Sequence, residues 1–139
     1  MKLFRIILSL AFILLSDLFG NHAEIVACTL ILEAGGEYAD GSMEAVNEVI
    51  INRAIKRRLT PTQVCLQRKQ FSCWNSGNIE ALIVKAQAHP RYAEALAIAK
   101  AAPTNLTGGA DHYHATYVKP YWAKSLTKTV QIGRHIFYK

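Results

Sequence analysis

Glu33 is the residue of this chain best placed to do acid chemistry. It closes the almost wholly apolar run Ile25 to Leu32 and stands directly before Ala34-Gly35-Gly36-Glu37-Tyr38. A carboxyl group between a buried helix and a glycine turn is partly desolvated. Desolvation raises the pKa of an acid and favours its protonated form near neutral pH. A protonated carboxylic acid is what cleavage of a glycosidic bond requires. The competing reading is an ordinary, solvated helix-end glutamate. Glu37 and Asp40 follow closely, and two carboxylates suit sugar hydrolysis. Glu33 and Glu37 would share a helix face only if the helix ran on through Gly35-Gly36, so Glu37 is expected on a loop.

A second group of reactive side chains is Asp111-His112-Tyr113-His114, with His135 further on. Residues two apart on a strand point the same way, so His112 and His114 could hold a metal together. Asp111 would then face the other side. The alternative is a polar strand lining a groove, and no metal site is assigned. Aromatic residues are a third resource: Phe71, Trp74, Tyr92, Tyr113, Tyr117, Tyr121 and Trp122. Sugar rings stack on such faces, although most aromatics pack in cores. No G-x-S-x-G, H-E-x-x-H or phosphate-binding glycine loop occurs, and no cofactor is implied.

These residues need elements to hold them. Glu24 to Ala34 reads as a helix that is apolar nearly all round, stopped by Gly35-Gly36. Asp40-Gly41-Ser42 starts a second helix running to about Arg58, with Met43, Val46, Val49, Ile50 and Ala54 at helical spacing. Thr60-Pro61-Thr62-Gln63 is a capping box with proline at the first helical position. Lys69 to Gly77 reads as a loop, Asn78 to about Ala88 as a helix, and Arg91 to Ala101 as another. After Gly108-Gly109 the composition turns to Tyr, His, Val and Thr. Strands are expected at Tyr113 to Val118, Thr129 to Ile132 and His135 to Tyr138, the last two joined around Gly133-Arg134. N-terminal helices followed by a small antiparallel sheet make an α+β domain. Asn52, mid-helix, needs a partner and is expected to be buried and to tie a backbone loop, such as the turn after Glu33.

The chain has 139 residues, enough for one domain. Met1 to Arg5 is basic and Ile6 to Phe19 is an apolar run broken by Ser9, Ser16 and Asp17. That run is short for a membrane span and fits a secretory leader, with cleavage after Ala23 or retention as an N-terminal anchor. A lipoprotein-like box, Ile25-Val26-Ala27-Cys28, is separated from the apolar run by a polar segment. The domain is then residues 24–139, exported to the periplasm or to the extracellular space and cell wall. The formal net charge of +6 becomes +5 on loss of Lys2, Arg5 and Asp17, and a basic exported protein is drawn to anionic polymers of the envelope. Export argues against nucleic acid. The cluster Lys56-Arg57-Arg58 is read as complementing a helix C-terminus. Cys65 and Cys73 flank a loop and are expected to pair in an oxidising compartment; Cys28 is expected as a buried small hydrophobe. Nothing argues for a stable oligomer, so a monomer is expected.

Taken in order, these segments resemble the SleB-like cell-wall hydrolase family. Its acid motif, similar to G-E-A-R-G-E, reads Leu32-Glu33-Ala34-Gly35-Gly36-Glu37 here. Its V-x-x-V-I-L-N-R pattern reads Val46-Asn47-Glu48-Val49-Ile50-Ile51-Asn52-Arg53. Gln70-Phe71-Ser72-Cys73-Trp74, Gly109 to His114, Pro120-Tyr121-Trp122-Ala123 and Ile132 to Tyr138 match in turn. Leu32 replaces the usual Gly and Gly35 the usual Arg. The resemblance implies a lysozyme-like fold. It implies cleavage of peptidoglycan glycan strands between N-acetylmuramic acid and N-acetylglucosamine, with Glu33 as the single acid/base of a lytic transglycosylase or as the acid of a hydrolase. It further suggests Glu37, Phe71, Trp74, His112, Tyr113 and His114 as substrate-binding residues. Two rivals are a non-enzymatic wall-binding module and a metal-dependent amidase or peptidase using His112, His114 and His135.

Overall fold

The computed structural model describes residues 22–75 and 77–139. The expected leader and its anchor alternative therefore lie outside the described residues, apart from His22 and Ala23. These two form the start of the described part of helix α1, residues 22–34. Four further helices follow: α2 (Ser42–Arg57), α3 (Pro61–Leu66), α4 (Ile79–Gln87) and α5 (Tyr92–Lys100). Three strands complete the fold, β1 (His112–Ala115), β2 (Lys128–Ile132) and β3 (His135–Tyr138). They form one antiparallel sheet in the order β1-β3-β2. Among the described residues no helix is long and apolar enough to cross a membrane.

The local signals act as their chemistry dictates. Thr60 Oγ1 accepts from Gln63 N at 3.1 Å and Gln63 Oε1 accepts from Thr60 N at 2.8 Å, closing the capping box of α3. Asn78 Oδ1 accepts from Glu80 N and Ala81 N at the start of α4. The start of α2 works differently from a side-chain cap. Gly41 takes a left-handed conformation, φ 81°, and no side chain caps the helix. Arg58, with φ 55°, ends it. The first strand is shorter than expected because Val118 N donates back to Ala115 O at 2.9 Å, turning the chain at Thr116-Tyr117.

Helix α2 is the spine. One face, Met43, Val46, Ile50 and Ala54, packs with Val26, Leu30 and Ile31 of α1, Val64 and Cys65 of α3, and Phe71. The opposite face, Ala45 and Val49, packs with Ala110 and Phe137, with Val130 and Ile132 of the sheet alongside. Leu30, Ile50 and Phe137 are fully buried, each contributing roughly 1.5–3 kcal/mol by leaving water. Tyr113 touches both clusters, which places it at the seam where helices meet sheet.

The fold corrects two expectations. Cys28, Cys65 and Cys73 are all free thiols, so the expected Cys65–Cys73 bridge is not formed. Cys65 is fully buried as part of the helical core. Burial, ahead of any neighbouring charge, pushes its thiol up to about 12 and that of Cys28 to about 11. Phe71 and Trp74 were expected to offer stacking surfaces. They are 2% and 9% exposed, because the loop between α3 and α4 folds inward as a short 3₁₀ turn over Ser72–Trp74. Trp74 Nε1 donates to Thr29 Oγ1 at 3.0 Å, anchoring the ring to α1.

Candidate active site

Glu33 stands in the last turn of α1. The chain leaves the helix through a tight turn in which Gly35 N donates to Ile31 O at 2.8 Å and Glu37 N to Ala34 O at 3.0 Å. A Cβ at position 35 would lie 2.5 Å from the Ile31 carbonyl oxygen. Gly35 is therefore required by this turn, and an arginine there would force it open. Arg91 of the α4–α5 connection locks the turn from outside, donating through Nη1 to Glu37 O at 2.7 Å.

Tyr113 reaches Glu33 from the sheet. Its hydroxyl donates to Glu33 Oε2 at 2.7 Å, joining the end of α1 to the middle of β1. Burial first, and then the charge of Glu33, hold the Tyr113 hydroxyl well above its ordinary pKa, so it remains a donor. Three side chains of α2 place β1 for this contact. Asn52 Nδ2 donates to Ala110 O at 2.8 Å, Arg53 Nε to Asp111 O at 2.6 Å, and Lys56 Nζ to Asp111 Oδ2 at 2.7 Å. Asn52 is thus a tie to a backbone loop as expected, but it is half-buried rather than buried, and the loop leads into β1 rather than out of α1. Arg53 is 7% exposed with its guanidinium 5.3 Å from the centre of the Phe71 ring. Burial lowers its pKa, with the charges of Asp111 and Glu33 opposing. Sequence reasoning gave Arg53 no role; its one signal is a charge at a position that the helical period directs inward.

The alternation of β1 divides the remaining candidates. Tyr113 shares its face with His135, at 5.0 Å between ring centres, and with Phe137 at 5.5 Å. His112 and His114 point to the opposite face. There they meet Trp122, at 5.1 and 5.7 Å, and His114 stacks on Tyr138 at 5.3 Å. His112 Nδ1 lies 2.7 Å from Asp111 Oδ1. Both histidines are therefore directed away from Glu33, contrary to the role suggested for them beside it. His112, His114 and His135 do not converge either, and among the described residues no three His, Cys, Asp or Glu side chains are grouped for a metal.

Glu33, Gly36, Glu37, Ala115, Tyr117, Arg134 and His135 line a pocket of about 140 Å³. A larger hollow of about 250 Å³, bounded by Val26, Asn47, Ile51 and Ala99, contains no carboxylate and is mainly apolar. Of these two, the smaller pocket is the one that Glu33 lines. Glu37 lines it but is committed to the β2–β3 hairpin. Its Oε2 accepts from Arg134 N at 3.0 Å and from Arg134 Nε at 3.1 Å. These bonds hold the Glu37 carboxyl below its ordinary value. His135 is lowered by burial, against the pull of Glu33 and Glu37, and its Nδ1 has no partner among the described residues. Cys73 also faces Glu33: burial first, then that carboxylate, pushes its thiol up. Arg134 and Tyr117 were not predicted for this pocket. Both come from turns that only the closed sheet brings to Glu33, and Tyr117 is 81% exposed there. The arrangement can donate a proton from one carboxyl group, steadied by a neutral hydroxyl, beside an open aromatic face.

A family model described as Cell Wall Hydrolase matches residues 36–138, a stretch that begins just after Glu33. The catalytic domain of the germination-specific lytic transglycosylase SleB from Bacillus anthracis superposes with a TM-score of 0.62 at 20% identity, over 86% of this chain and 94% of that one. The catalytic domain of the Bacillus cereus SleB protein gives 0.59 at 21% identity, over 86% and 91%. No curated protein matches the chain. The fold is the α+β, lysozyme-like arrangement that the sequence implied.

Proposed function

The chain belongs to the cell wall hydrolase family, and from that premise we propose that it cleaves peptidoglycan glycan strands with Glu33 as its acid. The observation that carries this reading is the Glu33–Tyr113 contact at the wall of a polar pocket. The bond is the one between N-acetylmuramic acid and N-acetylglucosamine. Glu33 in its acid form donates its proton to the bridging oxygen as the bond from the anomeric carbon to that oxygen breaks. The Glu33 carboxylate then takes the proton of the muramoyl 6-hydroxyl as that oxygen bonds to the anomeric carbon. The product is a 1,6-anhydro sugar, the acid is regenerated, and no water is consumed.

Glu37 is the carboxylate nearest in sequence, and its bonds to Arg134 remove it from the role of a second catalytic base. This supports a single-acid transglycosylase over a hydrolase, in which a second carboxylate would activate water. Tyr113 orients the acid and Tyr117 offers a sugar-stacking face. The same reading has the domain of residues 24–139 working outside the cytoplasm as a monomer.

Mass spectrometry of soluble products from purified peptidoglycan, digested with the protein and with Glu33→Gln, tests the proposal. Anhydro-muropeptides that disappear in the variant are the expected result. Reducing-end sugars would replace transglycosylation by hydrolysis. Wall binding without products from either protein would replace the enzyme by a binding module.

A further inference from the structure

Acid catalysis leaves the Glu37–Arg134 pair unexplained. The pair is built with care for geometry. Gly133 turns the hairpin with φ 54°, and a Cβ there would stand 2.7 Å from Glu37 Cδ and 2.8 Å from Oε1. Only glycine lets the carboxylate pack against the hairpin. Arg91 fixes the Glu37 carbonyl while Arg134 engages its side chain, so Glu37 is held at both ends. Its side chain is 13% exposed, whereas that of Arg134 is 68% exposed. Stability does not account for this, because an ion pair with so exposed a partner contributes little.

The guanidinium itself is only partly used. Nε bonds Glu37, and among the described residues no hydrogen bond engages Nη1 or Nη2. Arginine presents five donors in a planar fork, and two terminal nitrogens left open match the two oxygens of a carboxylate. Arg134 lines the same pocket as Glu33. An anion bound there lies beside the bond being cut, on the glycan that bears it.

We propose that Arg134, buttressed by Glu37, binds a carboxylate carried on the lactyl arm of the muramoyl residue, and so restricts the enzyme to acidic glycan strands. This inference rests on the glycan-cleaving reading above. Two sources share the chemistry: the lactyl carboxylate of a peptide-free strand and the carboxylates of an attached stem peptide. Arg134 is a specificity-determining residue here, not a proton donor.

The test compares four ligands: peptide-bearing strands, strands stripped of peptide, and each of these after amidation of its carboxylates. Dissociation constants are measured with Glu33→Gln, which holds substrate without turnover, and with Glu33→Gln/Arg134→Gln. The expected result is about tenfold tighter binding of the free-carboxylate strands than of the amidated ones. That ratio should shrink with salt and vanish in the double variant. Which unamidated strand binds better identifies the source of the carboxylate. In otherwise native protein, Arg134→Gln should raise KM on acidic strands about tenfold with kcat retained and melting temperature unchanged. A ratio that is absent from the start, or that survives Arg134→Gln, overturns the inference while leaving the glycan-cleaving reading intact. Native protein that neither binds nor cleaves any strand overturns that reading, and this inference with it.

Discussion

Two carboxylates of this chain, Glu33 and Glu48, are both withdrawn from solvent and have opposite surroundings. Glu48, in the middle of α2, is 2% exposed. Its two oxygens accept from Thr104 Oγ1 at 2.6 Å, Leu106 N at 2.6 Å, Thr107 N at 2.8 Å and Thr107 Oγ1 at 2.6 Å. Burial acts to raise its pKa, but these four bonds outweigh burial and hold it below the ordinary value. Glu33 keeps some exposure, opens on a pocket and receives one hydroxyl. A carboxylate saturated with donors is a clamp: it fixes residues 104–107 to α2 and has no lone pair left for chemistry. A carboxylate with one donor and an open side can exchange a proton. Saturation, more than burial, separates the structural acid from the one proposed to react.

The sharpest way to break the comparison is to substitute each acid and read both activity and stability. Glu33→Gln should lower the rate of glycan cleavage by about 10²–10⁴-fold and leave the melting temperature near that of the native chain. Near-native turnover would remove Glu33 from the mechanism. Glu48→Ala should do the reverse. It strands the buried N–H and hydroxyl of Thr107 and unpairs the more exposed Leu106 N–H and Thr104 hydroxyl, so it should cost about 3 kcal/mol in denaturant unfolding. Whatever variant remains folded should keep its turnover number. A lowered turnover number in the folded fraction would make Glu48 part of the chemistry.

Smaller changes sharpen the contrast. Tyr113→Phe removes the hydroxyl donor to Glu33 and should reduce kcat about tenfold, with KM changed less, since a hydrogen bond to a charged group contributes roughly 1.5–3 kcal/mol. An unchanged kcat would reduce Tyr113 to packing. The smallest effect is in pH dependence. Because the folded pKa of Glu48 lies below its ordinary value of 4.5, its contribution is present above that pH. It is lost as pH falls through the folded value. The stability gap between the native chain and Glu48→Gln should therefore narrow on acidification below about 4.5. A gap that stays constant would mean that Glu48 does not titrate with unfolding.

Most of the helices were legible because their signals are local. The Thr60–Gln63 box, Asn78 and the apolar spacing of α2 each act within a few residues. The place of Glu33 in the fold was legible for the same reason, at the junction of an apolar helix and a glycine turn. Residues whose roles depend on tertiary placement were misread or missed. The alternation of β1 puts His112 and His114 on one face and Tyr113 on the other, but nothing in that alternation says which face meets α1. Phe71 and Trp74 sit in a segment with loop composition, and only the gap between α1 and α3 draws them inward. Glu48 looked like an ordinary helix residue because its partners lie 56 to 59 positions away.

The sharing of α2 by two clusters has a kinetic side. Glu33 belongs to the helical half and Tyr113 to the seam with the sheet, so their contact persists only while both clusters stay closed on the same helix. Neither half can open without uncovering a face of α2. Amide protons of α2 should therefore exchange with solvent only through complete unfolding, and those of α4, exposed along most of its length, should exchange much earlier. The Glu33–Tyr113 contact should thus be as long-lived as the whole domain, while the outer helices are free to breathe around it.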